Sequence, residues 1–260
     1  YTLRLLLNAL GVGDFGIYTV VAGIVALASF LPSAMSSATQ RYFSFALGRN
    51  DQAALTKIFS ANLLIYIGIC LFALAALESA GLWFVQENLN VPADRVEAAK
   101  TLYQISIFTF ISTLLASPFM AIIIAHEEME LYAYVSLYEA VAKLAAAFTI
   151  TIAPWEKLTT YGAAFFIASA TTTLIYLIVC KRRYPACKFK RSTLDRATFS
   201  EILSFTGWTL FGQLTTVARN QAVTILLNQT FNPAVAAARA IATTVAGQVN
   251  IFSTNFNTSL

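Results

Sequence analysis

Apolar stretches about as long as a bilayer is thick follow one another along this chain, and they leave it few ways to fold. A hydrocarbon core roughly 30 Å thick is crossed by roughly 20 apolar residues in a helix. Lipid offers no partner to backbone N–H and C=O groups, so the segment must satisfy them itself, as a helix does. On that ruler the sequence predicts a truncated segment over Tyr1–Leu10, then complete ones over Phe15–Ala38, Ile58–Phe84, Leu102–Ala125, Leu131–Ala153, Tyr161–Cys180 and Ile202–Leu227. A last segment starts at Ala234 and is cut by the end of the chain. Only 12% of the 260 residues are charged, against about 25% in soluble domains, and mean hydropathy is +0.67. The expected fold class is all-α, a polytopic transmembrane helix bundle.

The chain opens at Tyr1 and closes at Leu260, each inside an apolar run. It shows no basic start with a small-residue cleavage site, and it reads as a piece of a longer protein. Cys70, Cys180 and Cys187 form no paired metal spacing and no C-x-x-C. Cys70 and Cys180 read as small membrane-buried residues.

Loop charges orient the bundle. One alternate set of loops holds Arg41, Arg49, Lys57, Lys181, Arg182, Arg183, Lys188, Lys190, Arg191 and Arg196, ten cations. The other holds three, Arg95, Lys100 and Lys157. Lys and Arg favour the cytoplasmic side, so the first set faces inward. The basic stretch from Lys181 to Arg191 also suits anionic lipid head groups.

Four stripes of polar residues run through these apolar segments. They are Ser29-Ser33-Ser36-Gln40, Tyr132-Ser136-Glu139-Lys143, Thr209-Gln213-Thr216-Asn220 and Arg239-Thr243-Asn250-Ser253. Steps of three and four residues place each set on one helix face. An unpaired polar group in hydrocarbon costs several kcal/mol, so the stripes must face one another, other helices or water. Small hydroxyl residues at this spacing also serve close helix packing. Several stripes converging inside a bundle line a passage, with Ser33, Ser36, Gln40, Gln213, Asn220 and Asn250 as expected wall residues.

Charges inside membrane spans point to function. The embedded cations are Arg4, Lys143, Arg219 and Arg239, and the acids are Glu139 and Glu78. The excess of cations suits an anionic ligand, and a guanidinium can hold a phosphate bidentately. Snorkelling to the interface is the other reading of Arg219 and Arg239. Glu139 and Lys143, four apart with the acid first, make a stabilising helical pair. That pair either neutralises itself or handles ligand or proton. Pro32 and Pro118 fall within expected helices, where proline removes a backbone bond.

Enzyme signatures are absent. His126-Glu127 begins like a zinc-protease motif, but Glu130 stands where the second histidine would be. No P-loop occurs, and no metal or cofactor site and no nucleic-acid partner is expected.

Leu5-Leu6-Leu7-Asn8 resembles Ile225-Leu226-Leu227-Asn228, an offset that skips six segments and restores the same orientation. Transporters built from two parallel repeats show this pattern. It predicts a first lobe over 1–180, a basic linker over 181–201 and the start of a second lobe over 202–260.

Three stretches carry a family resemblance. They are Leu10-Gly11-Val12-Gly13-Asp14-Phe15-Gly16-Ile17-Tyr18 leading to Ser37-Ala38-Thr39-Gln40-Arg41-Tyr42, then Ile123 to Met129, then Leu226-Leu227-Asn228 followed by Ala236 to Ala242. The chain resembles bacterial polysaccharide-export flippases of the multidrug/oligosaccharidyl-lipid/polysaccharide superfamily. Where that family usually has Phe-Gly-Pro and Asn-Ala-Ala, this chain has Phe231-Asn232-Pro233 and Ala236-Ala237. The resemblance implies a two-lobed, MATE-like transporter of the bacterial inner membrane. It would move undecaprenyl-diphosphate-linked oligosaccharide by alternating access, with proton or sodium coupling open. Membrane lipids and glycan polymerase or assembly proteins would be its partners, and Arg4, Lys143, Arg219 and Arg239 would set a positive potential between the lobes. Glu139 would tune Lys143 or carry a coupling proton. The rival readings are a cation-coupled multidrug exporter of the same superfamily, a membrane-embedded glycan polymerase, and a scaffold for the glycan assembly machinery.

Overall fold

The computed structural model describes residues 2–26, 28–83, 95–152, 156–185, 187, 195–230, 242, 246, 247, 249 and 250, and among them there is no β-strand. Helix α1 spans Thr2–Ala26 and is interrupted at Gly11, whose φ of 77° and ψ of 172° are non-helical. Only glycine takes that backbone conformation without a steric penalty. The break falls between the first two expected segments.

The expected single span Phe15–Ala38 is divided. Helix α1 ends at Ala26, Ala28 N–H turns back to Val25 O at 3.0 Å, and α2 runs over Phe30–Gly48. Pro32 supplies the reason. A continuous helix would lose the hydrogen bond that its nitrogen cannot donate. In the first turn of a new helix that donor is not needed, and Leu31 N–H donates to the Ala28 carbonyl at 3.0 Å instead. Pro118, by contrast, lies buried inside a continuous helix.

Asn50, with φ 56°, makes the turn to α3; asparagine tolerates this left-handed conformation better than most residues. Asp51 then caps α3, Gln52–Ala76, by accepting from Ala54 N–H at 2.9 Å. The helix continues through a π-helical turn, Leu77–Gly81. There the Tyr103 hydroxyl donates to the Leu77 carbonyl at 2.6 Å. A Cβ on Gly81 would lie 1.8 Å from that hydroxyl oxygen, so this position has no room for a side chain.

Helix α4 covers Val96–Ala125, α5 Met129–Ile152, α6 Lys157–Arg183 and α7 Arg196–Thr230. Lys181, Arg182 and Arg183 close α6, where cations complement the helix dipole. Helix α4 is the centre of the bundle. It packs most extensively on α6 and α2 and also against α1, α3 and α5. At Gly162 a Cβ would meet Leu102 Cδ1 at 2.9 Å, so glycine lets α6 approach α4 closely.

Four stretches among the described residues are long and apolar enough to cross a membrane: Gln52–Ser79, Val96–Ala125, Met129–Ile150 and Lys157–Arg183. Helices α2 and α7 are not among them. The polar residues that mark their stripes, with Arg41 in one and Glu201 and Arg219 in the other, dilute their apolar character.

The chain forms two compact units, Tyr1–Thr206 and Gly207–Leu260, and passes from one to the other within α7. The opening turns of α7 belong to the first unit. Phe205 is held there between the Tyr42 ring edge, at 5.7 Å, and the Arg41 guanidinium, at 4.4 Å.

Candidate cavity of the first unit

A cavity of about 620 Å³ lies inside the first unit. Its wall on α4 runs from Leu102 to Met120, about 27 Å at 1.5 Å per residue, close to the thickness of a hydrocarbon core. Two predicted stripes reach it. Ser29 and Ser33 come from the start of α2, and Tyr132, Ser136 and Glu139 from α5.

Past Ser33, α2 turns its polar face away from the cavity. Ser36 is buried and Gln40 half-buried, and neither lines the wall. One turn on, Thr39 bonds across to α3, at 3.1 Å from the Tyr66 hydroxyl and 3.5 Å from Asn62 Oδ1. The second half of that stripe serves interhelical packing.

Two further stripes complete the wall, and neither was anticipated. Ser106, Thr109, Thr113 and Ser117 descend α4, and Ser169, Thr172, Thr173 and Tyr176 descend α6. Their steps of three and four residues carried the same signal as the predicted stripes. Lacking charges and side-chain amides, they were hidden among isoleucine, leucine and phenylalanine. Each α4 hydroxyl donates to the carbonyl four residues back, at 2.8 to 3.2 Å. The two stripes join outside the wall where Thr173 donates to the Ser112 carbonyl at 3.0 Å.

Among the predicted charges, Glu139 lines the cavity and Lys143 does not. Lys143 is ion-paired with Glu139 Oε1 one helical turn away, and its Nζ lies 5.2 Å from the centre of the Phe165 ring. No Lys or Arg lines this cavity. Arg219 and Gln213 are exposed residues of α7 in the second unit, as is Asn250 in a separate helical stretch. Arg4 and Asn220 lie on α1 and α7, with side chains outside the described part. Arg239 and most of its stripe fall outside the described residues.

The two ends of the first unit differ in chemistry. At one, Arg95 reaches Asp14 at 3.6 Å and Glu156 at 3.4 Å, tying the start of α4 to α1 and to the N-cap of α6. Beneath, the Tyr18 and Tyr161 rings meet edge to face at 5.3 Å, and both line the cavity. At the other end, Glu128 pairs with Arg183 at 3.0 Å and the His126 ring stacks on Tyr184 at 4.1 Å. Burial, together with the neighbouring Glu128 carboxylate, pushes the Tyr184 phenol above its ordinary pKa. His126 Nδ1 lies 2.8 Å from the Ile122 carbonyl, an intrahelical contact that gives the ring a structural role.

A helical membrane bundle with a hydroxyl-lined cavity along its long axis defines the class, a polytopic membrane protein built around an internal passage. Residues 2–256 match the family described as polysaccharide biosynthesis protein. The chain belongs to that family, whose members are transporters of the multidrug/oligosaccharidyl-lipid/polysaccharide superfamily acting in polysaccharide synthesis and export. Comparison with curated proteins and with solved structures returns no significant match.

Proposed function

We propose that this protein carries lipid-diphosphate-linked oligosaccharide units across the bacterial inner membrane by alternating access. The observation that carries the reading is the family match along nearly the whole chain. The bundle agrees with it, because a sugar chain cannot cross hydrocarbon without polar groups to replace its hydration. In this reading the first unit belongs to one lobe of a two-lobed transporter and the second unit opens the other. The exposed Arg219 guanidinium contacts the diphosphate, and Arg4, Lys143 and Arg239 add positive potential. Lys143 contributes only when it gives up Glu139. Glycan polymerase and assembly proteins would act on the exported product.

Mass spectrometry of lipid-linked oligosaccharides in a strain deleted for the full-length gene tests this. Complete units accumulating on the cytoplasmic side, and cleared by the wild-type gene, are expected. Normal lipid pools with normal surface glycan would overturn the reading, and efflux of a cationic dye by the same protein would favour a drug exporter.

A further inference from the structure

The walls of the first-unit cavity are chemically one-sided. Ser106, Thr109, Thr113 and Ser117 donate to carbonyls of α4, and Thr172 and Thr173 to carbonyls of α6. With their protons turned back to the helix, these hydroxyls face the cavity through oxygen lone pairs. One carboxylate, Glu139, stands among them and no Lys or Arg does. A diphosphate would meet lone pairs and a like charge on these walls, so the cavity repels the anionic end of the proposed cargo. It favours a positive ion.

The ion must suit Glu139. Its Oε1 already holds the Lys143 ammonium. A bound metal cation would add a second positive charge beside that ammonium. A proton instead joins the carboxylate oxygen itself and converts it to a neutral carboxyl. The other groups around Glu139 permit this. Tyr132 and Lys143 come from its own helix, Tyr161 and Tyr176 from α6 and Tyr18 from α1, while α4 presents no ionisable side chain to the cavity. The Tyr176 hydroxyl is itself hydrogen-bonded to Ser136. Ser169 supplies a second, independent sign of a ligand. It is 4% exposed, lines the cavity, and its Oγ has no hydrogen-bond partner. A buried hydroxyl left in that state is expected to bind water. The volume of about 620 Å³ far exceeds the roughly 10–15 Å³ that one water requires.

We propose that this cavity is a hydrated proton site, separate from the cargo's path, in which Glu139 takes up and releases the coupling proton. It rests on the transport reading above for the word coupling, though not for the site. In the uptake step a hydronium gives its proton to a Glu139 carboxylate oxygen and leaves as water. An O–H bond forms, the ion pair with Lys143 is lost, and the local charge changes from zero to plus one. Waters against the hydroxyls of α4 and α6 carry the proton along the cavity.

The test is infrared difference spectroscopy of the full-length protein in liposomes, titrated with acid without any glycan. A carboxylic C=O band should grow on acidification, disappear in Glu139→Gln, shift in Glu139→Asp, and be the same in sodium and potassium buffers. Thr109→Val combined with Thr113→Val should keep the band and slow proton uptake at least tenfold. A band that survives unchanged in Glu139→Gln, or a titration displaced by sodium, overturns the proposal. The assay uses no substrate, so the two readings fail separately. A titrating band without glycan export keeps the proton site and removes the cargo, and export without the band does the reverse.

Discussion

At one end of the first unit Phe43, Phe59, Ile122, Ile123, Cys180 and Ile202 are buried in a single apolar cluster. At the other, Arg95 bridges Asp14 and Glu156 with 40% of its side chain exposed. The first end is held by close packing, where each large side chain contributes kcal/mol. The second is held by exposed ion pairs, each worth about 0–1 kcal/mol and weakened by salt. The same cavity therefore has one end that is costly to open and one that is cheap. Opening this unit should begin at the Arg95 end.

The largest effect should come from breaking the packed end. Ile122 is fully buried, and Ile122→Ala should cost about 2–5 kcal/mol, read as a lowered unfolding midpoint in detergent. Next comes Gly81→Ala at the ionic end, where the new methyl must displace Tyr103 from the Leu77 carbonyl. A loss of about 1–3 kcal/mol is expected from such overpacking. A loss as small as that of any ion pair would mean the π turn carries no strength at that end.

The packed end also has a pH signature. The Tyr184 phenol is raised in the folded protein, so the fold holds this proton more tightly than the unfolded chain does. Its contribution is complete below the ordinary tyrosine value of about 10 and is lost as pH rises through the folded value. Stability should therefore fall as pH climbs above about 10, and Tyr184→Phe should flatten that slope. An unchanged slope would remove Tyr184 from the account. The smallest effect belongs to Arg95→Gln, at most about 1 kcal/mol. It is best seen as faster labelling of a Thr109→Cys variant by a polar thiol reagent, with reduced dependence on salt. Equal labelling rates in both backgrounds would place the opening elsewhere.

The spans with the strongest apolar character were legible. The segments read at Leu102–Ala125, Leu131–Ala153 and Tyr161–Cys180 lie within a few residues of α4, α5 and α6. The Phe15–Ala38 segment was misjudged because apolar length says nothing of backbone donors, and Pro32 begins a helix there instead of interrupting one. The site divided in the same way. Glu139, Ser136 and Ser33 stood out against apolar neighbours and do line the cavity. The α4 and α6 hydroxyls did not, since serine and threonine weigh almost nothing on a transfer scale. Nor could spacing within one helix show that Lys143 would turn to Phe165 while Glu139 turned inward.

The hydroxyls of α4 also bear on how the protein is made. Each of the four along the cavity finds its acceptor four residues earlier in the same helix. None of them needs another helix to be satisfied. The segment can leave the insertion machinery and rest in lipid alone, as comfortably as an aliphatic helix, before α5 and α6 exist. Polarity required by the finished passage is thus stored within a single span during synthesis, and it becomes a shared surface only when the later helices arrive.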